Sequence, residues 1–132
     1  MIMHKRFLVT AAWLGALTVA LGAFGAHALK KILTQESLNT FETAVRYQFY
    51  HVFALALTGI VLRTYPDKWI SYAGTFFQLG ILLFCGSLYL LTLFSAAGIT
   101  GLTWIGAITP FGGLLFILGW ILLGAGILRY SP

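Results

Sequence analysis

Apolar residues form long uninterrupted stretches of this chain, and polar residues gather in the short stretches between them. Four apolar runs stand out, at about 7–29, 44–62, 69–94 and 102–128. Because a helix rises about 1.5 Å per residue, each run can cross a hydrocarbon core roughly 30 Å thick. The pattern predicts an all-α membrane protein: a single domain over residues 1–132, with four transmembrane helices in an antiparallel bundle.

The polar stretches predict where these helices end and begin. Lys30 and Lys31 end the first helix. Asn39, followed three residues later by Glu42, is close to a capping box, so we expect the second helix to begin near Asn39. Whether residues 30–38 form a helix on the membrane surface stays open. The turn at 64–68 contains Pro66 and is short, which predicts that the second and third helices are antiparallel neighbours.

Small residues and a proline add detail to the first and fourth runs. The first run is too long for the apolar region of a secretory signal, which is about 7 to 15 residues. Its small residues recur at spacings of three and four and predict close approach of a neighbouring helix: Ala12, Gly15, Ala16, Ala20, Gly22, Ala23, Gly25 and Ala26. Pro110, with glycines at 112 and 113, predicts a kink in the fourth helix.

Composition supports a membrane location and suggests an orientation. Apolar residues make up 60% of the chain and charged residues 8%, and the net charge is +5. The basic residues flank the apolar runs, as topology-setting charges do, so we do not expect a nucleic-acid partner. One side of the membrane would hold Lys5, Arg6, Arg63, Lys68 and Arg129, and the other Lys30 and Lys31 with Arg46 near the boundary. This difference favours cytoplasmic termini.

With this topology, polar side chains concentrate in the outer half of the bundle, on the side where residues 30–43 lie outside the hydrocarbon and the second helix enters it near Ala44. Ionisable groups at membrane depth are costly, so they are functional candidates by default. We therefore predict a candidate binding cluster near the outer leaflet, formed by the end of the first helix and the start of the second: His27, Glu42, Arg46, Tyr47, Gln48, Tyr50 and His51.

The second helix should present two opposite stripes at 100° per residue. Glu42, Arg46 and Tyr50 share one stripe, and Tyr47 and His51 share the other. Glu42 and Arg46 can form an ion pair four residues apart, which is either structural or part of a ligand site. His51 lies too deep to reach the headgroups and should find a hydrogen-bond partner on a neighbouring helix.

No metal, cofactor or catalytic constellation is predicted. His27 and His51 differ in depth by about 7 Å at 1.5 Å per residue, and no carboxylate or thiol accompanies them at depth. The single cysteine, Cys85, lies within an apolar run and is interpreted as a small buried hydrophobe. No nucleophile elbow, P-loop, HExxH or GxGxxG motif is present, so enzymatic activity is not expected.

Four ordered motifs resemble a known family. They are Gly22-Ala23-Phe24-Gly25-Ala26-His27-Ala28-Leu29, then Phe41-Glu42-Thr43-Ala44-Val45-Arg46-Tyr47-Gln48-Phe49-Tyr50-His51, then Gly86-Ser87-Leu88-Tyr89, then Ile108-Thr109-Pro110-Phe111-Gly112-Gly113. This order is similar to the YgdD/YwdK-like small membrane proteins, the domain-of-unknown-function family 423. The resemblance covers almost the whole chain. It implies a four-helix protein of the bacterial inner (plasma) membrane and brings no mechanism with it.

The sequence leaves two functions open. The first is a structural or accessory protein that acts by association, as a homo-oligomer or within a larger membrane complex, surrounded by membrane lipids. The second is an oligomeric binding or transport protein for a small anion, a lipid headgroup or a quinone, which would use Arg46, Gln48, Tyr50 and His51. A lipid-modifying enzyme with His51 as base is disfavoured because no nucleophile with an oriented partner is apparent.

Overall fold

The computed structural model describes residues 2–130, so positions 1, 131 and 132 of the predicted domain lie outside the described residues. The helices are α1 (Met3–His27), α2 (Gln35–Thr64), α3 (Lys68–Gly80), α4 (Gly86–Ala96) and α5 (Thr109–Arg129), with a π-helical segment at Ile81–Cys85 and 3-10 turns at Leu29–Lys31 and Thr103–Ala107. They make four spans long and apolar enough to cross a membrane: Met3–Lys31, Gln35–Thr64, Lys68–Ala96 and Thr103–Arg129. The predicted four-span helical fold is confirmed.

The spans pack mainly in chain order. The first span packs on the second, the second on the third, and the third on the fourth. Residues 29–34 and 97–102 connect helices at one end of the bundle, called here the loop end. The two ends of the described chain and the turn before Lys68 lie at the other, called the termini end. Because α2 and α5 both pack on the third span, a groove remains between them.

The second helix begins earlier than predicted. Thr34 caps it by accepting a hydrogen bond from the Ser37 amide at 3.2 Å. Asn39 lies inside the helix, where its side-chain oxygen accepts from Gln35 at 2.8 Å. The prediction of an Asn39 cap is therefore wrong. The physical reason is burial of Ser37 and Leu38, which holds this polar stretch against the bundle as helix.

Glycines on α5 hold the fourth span close to the third. Gly112, Gly119 and Gly126 recur every seventh residue, and their partners Phe84, Phe77 and Ile70 do the same in the antiparallel direction. A Cβ at Gly119 would lie 2.6 Å from the Phe77 ring, so only glycine leaves room for it. The hydrophobic effect does not drive helices together in lipid, so this close packing of small against large residues stabilises their association instead.

Irregular backbone in the third and fourth spans coincides at one level. The π-helical segment Ile81–Cys85 interrupts the third span, and Pro110 lies in the first turn of α5, just after a 3-10 turn. At the position of the predicted kink, the fourth span changes from a 3-10 turn to α-helix at the start of α5. A proline is tolerated there because the first-turn amides have no intrahelical partner.

The small residues of α1 divide between two faces. Gly25 is buried, and a Cβ added at Gly15 or Gly22 would be in van der Waals contact with a valine of α2. The alanines at 12, 16, 20, 23 and 26 are exposed. The predicted close approach of a neighbouring helix is therefore confirmed for the glycines, which face α2, whereas these five alanines are exposed.

Candidate functional site

Gln48 is the centre of a buried polar network that joins three spans. It is only 2% exposed, its Nε2 donates to the Thr18 hydroxyl at 2.7 Å, and its Oε1 accepts from the Tyr89 hydroxyl at 2.9 Å. Thr18 in turn donates to the Leu14 carbonyl at 2.6 Å. Both polar atoms of the Gln48 side chain thus have protein partners, and the network fixes the relative positions of α1, α2 and α4.

A second hydroxyl pair joins the third span to the fourth. Ser87 donates to the Phe84 carbonyl at 2.9 Å, and its oxygen lies 2.6 Å from the Thr109 hydroxyl. Because the Ser87 proton is committed to the carbonyl, Thr109 is the donor to Ser87. The pair fixes the start of α5 against the π-helical segment, which carries Phe84.

His51 has a protein partner at each ring nitrogen. Nδ1 lies 2.8 Å from the Tyr47 carbonyl, and Nε2 accepts from the Trp120 indole at 3.3 Å. A carbonyl only accepts and an indole N–H only donates, so the ring is neutral with its proton on Nδ1. The imidazole also stacks on Phe116, with ring centroids 3.4 Å apart and planes 6° apart. The predicted interhelical partner of His51 is therefore confirmed, and it comes from α5.

These side chains line the groove between α2 and α5, named here the His51 groove. Its volume is about 580 Å³, and it is lined by Tyr47, His51, Phe84, Pro110, Gly113, Leu114, Phe116, Ile117 and Trp120. Phe84 of the π-helical segment is part of this lining, with its ring centroid 4.7 Å from that of Tyr47. This volume lies within the range of about 300 to 1,000 Å³ typical of small-molecule sites. The groove is largely aromatic, and the polar groups of its lining residues are the His51–Trp120 pair and the Tyr47 hydroxyl.

The deep end of this groove lies near the middle of the membrane. His51 is about 18 Å from Arg63 along α2, at 1.5 Å per residue, and half of a hydrocarbon core is about 15 Å. Trp120 is about 14 Å from Arg129 along α5, by the same rise. Measured from the basic residues that end the two spans, the imidazole and the indole therefore lie within about 5 Å of the same depth.

Glu42 and Arg46 belong to a different cavity. A slot of about 300 Å³ between α1 and α2 is lined by Gly22, Gly25, Ala26, Phe41, Glu42, Val45 and Arg46. Both charged side chains are exposed. Within residues 2–130 no Lys, Arg or His nitrogen lies within 4.0 Å of a carboxylate oxygen. The predicted Glu42–Arg46 ion pair is therefore absent, and each group is free to meet something else.

The seven predicted site residues thus do not form one cluster. Tyr47 and His51 line the His51 groove, Glu42 and Arg46 line the α1–α2 slot, and Gln48 is enclosed between them. The two remaining residues, Tyr50 and His27, are exposed and line neither cavity. The stripes predicted for α2 explain this division, because Arg46 and His51 lie on opposite faces of one helix.

Sequence reasoning missed three aromatic residues of the groove: Phe84, Phe116 and Trp120. Trp120 carries a signal that could have found it, because tryptophan favours the membrane interfaces and this one lies in mid-span. Phe84 and Phe116 carry none, since phenylalanines are common throughout these apolar runs. In residues 2–130 no group of three or more His, Cys, Asp or Glu side chains is arranged to hold a metal ion.

Comparison with known proteins identifies the family. Residues 21–113 match the family model described as "Protein of unknown function (DUF423)". The chain is 40% identical over 119 residues to a UPF0382 membrane protein of Staphylococcus haemolyticus, covering 90% of this chain and 92% of the relative. It is 41% identical to one from Haemophilus influenzae, covering 94% of each. It is 36% identical to the UPF0382 inner membrane protein YgdD of Escherichia coli, covering 96% of this chain and 93% of the relative.

No solved structure matches the chain significantly. The family match includes all four sequence motifs and leaves out most of α1 and most of α5. Two of these motifs meet where Gly25 packs against Phe41, and Phe41 in turn packs 5.4 Å from the ring of Tyr89 in a third. The chain is a multi-pass membrane protein, and it belongs to the DUF423 family of proteins of unknown function.

Proposed function

We propose that this protein is a non-enzymatic binding protein for a neutral, ring-bearing, membrane-soluble molecule of the quinone/quinol class, held in the His51 groove. One observation carries the proposal: a single imidazole–indole pair, His51 and Trp120, lies at the deep end of an aromatic groove near the bilayer midplane. Aromatic walls favour a flat ring, which can stack or meet them edge-on. The charge distribution supports cytoplasmic termini for this arrangement.

The depth of the groove selects against charged ligands. A phospholipid headgroup or a small anion would have to leave the interface and reach the midplane, where desolvating its charge costs several kcal/mol or more. A quinone or quinol carries no net charge, and its ring is soluble at that depth. Pro110 lies about 15 Å from Trp120 along α5, at 1.5 Å per residue, which leaves length for a ring and the first part of its tail.

The chemistry of the pair favours the hydroxyl form. The Trp120–His51 hydrogen bond is long at 3.3 Å, so it is weak and open to replacement. A ligand hydroxyl can accept a hydrogen bond from the indole and donate one to Nε2. Binding then replaces the single Trp120–His51 hydrogen bond with two hydrogen bonds to the ligand. A quinone carbonyl can only accept, and it would leave Nε2 without a donor. The reduced, hydroxyl-bearing ring is therefore expected to bind more tightly than the oxidised ring.

Fluorescence titration tests the proposal. Trp120 is retained as the only tryptophan by replacing Trp13, Trp69 and Trp104 with Phe, and the protein is placed in lipid nanodiscs with a short-chain benzoquinone. We expect saturable quenching at one ligand per chain. Gly113→Leu, which fills the groove beside Phe84, should abolish the saturable part, because the new side chain occupies the space that the ring needs.

Gly124→Leu is the matched control, since Gly124 is on the same helix and a Cβ added there would meet no heavy atom within 4 Å. It should leave quenching unchanged. Linear, unsaturable quenching that is the same in all three proteins would show that the quinone only dissolves in the bilayer.

Association is a second candidate function, favoured by the exposed alanines of α1. Ala12, Ala16 and Ala20 repeat every fourth residue on a face that no other helix of the bundle covers. Small residues at this spacing permit close helix contact in lipid. If copies associate here, Ala16→Cys should form disulfide-linked dimers in membranes, whereas Leu17→Cys, at the next and also exposed position, should not. Equal cross-linking at both positions would indicate random collision.

A further inference from the structure

The slot between α1 and α2 is an apolar cavity made by missing side chains. Gly22 and Gly25 form its α1 wall, while Phe41 and Val45 form its α2 wall. A Cβ at Gly25 would lie 2.6 Å from Phe41, and one at Gly22 would lie 3.5 Å from Val45. The slot is only partly enclosed and has a volume of about 300 Å³. Its dimensions and lining suit part of an acyl chain.

Opposite charges flank this slot without meeting each other. Glu42 and Arg46 are four residues apart on α2, a spacing at which such side chains usually can pair. Both are exposed, and neither takes part in an ion pair within 4.0 Å. A ligand whose negative and positive groups are separated by a similar distance can therefore bind Arg46 with the first and Glu42 with the second.

The two charged groups lie at different depths in the membrane, with Arg46 deeper than Glu42. From Arg63, at the opposite membrane boundary, Arg46 is about 26 Å along α2 and Glu42 about 32 Å, at 1.5 Å per residue. With a hydrocarbon core of roughly 30 Å, the guanidinium can reach the phosphate level and the carboxylate lies just outside it. The headgroup of phosphatidylethanolamine has the same order, with its phosphate nearer the acyl chains and its ammonium farther out.

We propose that this slot is a binding site for a phospholipid with a phosphoethanolamine headgroup. Its phosphate binds Arg46, its ammonium binds Glu42, and an acyl chain lies along Gly22 and Gly25. Exposed Lys30 and Lys31 at the loop end add positive potential that favours the phosphate. Glu42 supplies the selectivity: phosphatidylglycerol has no ammonium to offer it, and the ammonium of phosphatidylcholine has no N–H donors. This site is independent of the His51 groove.

Native mass spectrometry tests the proposal on the full chain. The protein is equilibrated in mixed micelles with equal amounts of phosphatidylethanolamine and phosphatidylglycerol of identical acyl chains. We expect the retained lipid to be enriched in phosphatidylethanolamine about threefold over the mixture, a ratio within the range that one exposed ion pair supplies. Glu42→Gln should return the ratio to that of the mixture, and Arg46→Gln should lower retention of both lipids.

Glu36→Gln is the matched control, because Glu36 is an exposed acid on the same helix that lines a different cleft. It should keep the threefold enrichment. Two results would overturn the proposal: no enrichment in the unmodified protein, or equal loss of enrichment in Glu36→Gln and Glu42→Gln. If Arg46→Gln fails to fold, the ratios of retained phosphatidylethanolamine to phosphatidylglycerol in Glu42→Gln and Glu36→Gln still test the proposal. None of these residues lines the His51 groove, so quinone binding is expected to be unaffected.

Discussion

Gly112→Ala should destabilise the bundle by about 3 kcal/mol, whereas Gly113→Ala, one residue along, should change stability by less than about 1 kcal/mol. The reason is the close approach of α5 to the π-helical segment. A Cβ at Gly112 would collide with the Phe84 amide nitrogen and lie 2.7 Å from its Cα. These are backbone atoms, which cannot rotate away as a side-chain end can.

Gly113 makes a matched comparison because the two glycines share a helix, a depth and a helix propensity. A Cβ there would lie 3.7 Å from the Phe84 ring, an ordinary van der Waals contact. Unfolding in mixed micelles of increasing denaturing detergent, followed by circular dichroism, measures the difference. Equal midpoints for the two variants would mean that the fourth span is not held against the third at Gly112.

The four-span fold could be predicted from the sequence because it depends on a local property. Run length and apolar content decide whether a segment crosses a membrane, and both can be read without knowing the neighbours. The opposite stripes of α2 were also predictable, since 100° per residue places His51 and Arg46 on different faces. The start of α2 was mispredicted because Thr34 and Asn39 are both good caps, and only burial of Ser37 and Leu38 selects the earlier one.

The site was predictable only in part, because its geometry depends on which helices are adjacent. The sequence places His51 at depth but does not say that Trp120 of α5 faces it. No local sequence pattern predicts the π-helical segment either. Its extra residue lies where Gly112 approaches Phe84, which is a contact between distant parts of the chain. The prediction of one cluster failed because the sequence indicates how deep each polar residue lies in the membrane, but it does not indicate which neighbouring helix the side chain faces.

Replacing His51 with Leu should weaken binding of a short-chain benzoquinol about tenfold, which corresponds to one buried hydrogen bond of about 1.4 kcal/mol. Leucine can occupy the space against Phe116, but it cannot accept the hydroxyl proton. Tyr50→Leu is the control, because Tyr50 precedes His51 on an exposed face of α2 and lines no part of the groove. It should leave the affinity unchanged.

A change in affinity alone could also come from a distorted groove, so the comparison needs a ligand without the hydroxyl proton. The dimethyl ether of the same quinol keeps the ring and loses both donors. In the unmodified protein it should bind about tenfold more weakly than the quinol, and in His51→Leu the two should bind alike.

The quinol-to-ether affinity ratio in nanodiscs, measured for the unmodified protein and for His51→Leu, tests the hydrogen bond at the membrane centre most directly. The account predicts a ratio of about ten that falls to about one when the imidazole is removed. A ratio that is the same in both proteins, whatever its value, would show that His51 does not recognise the ligand.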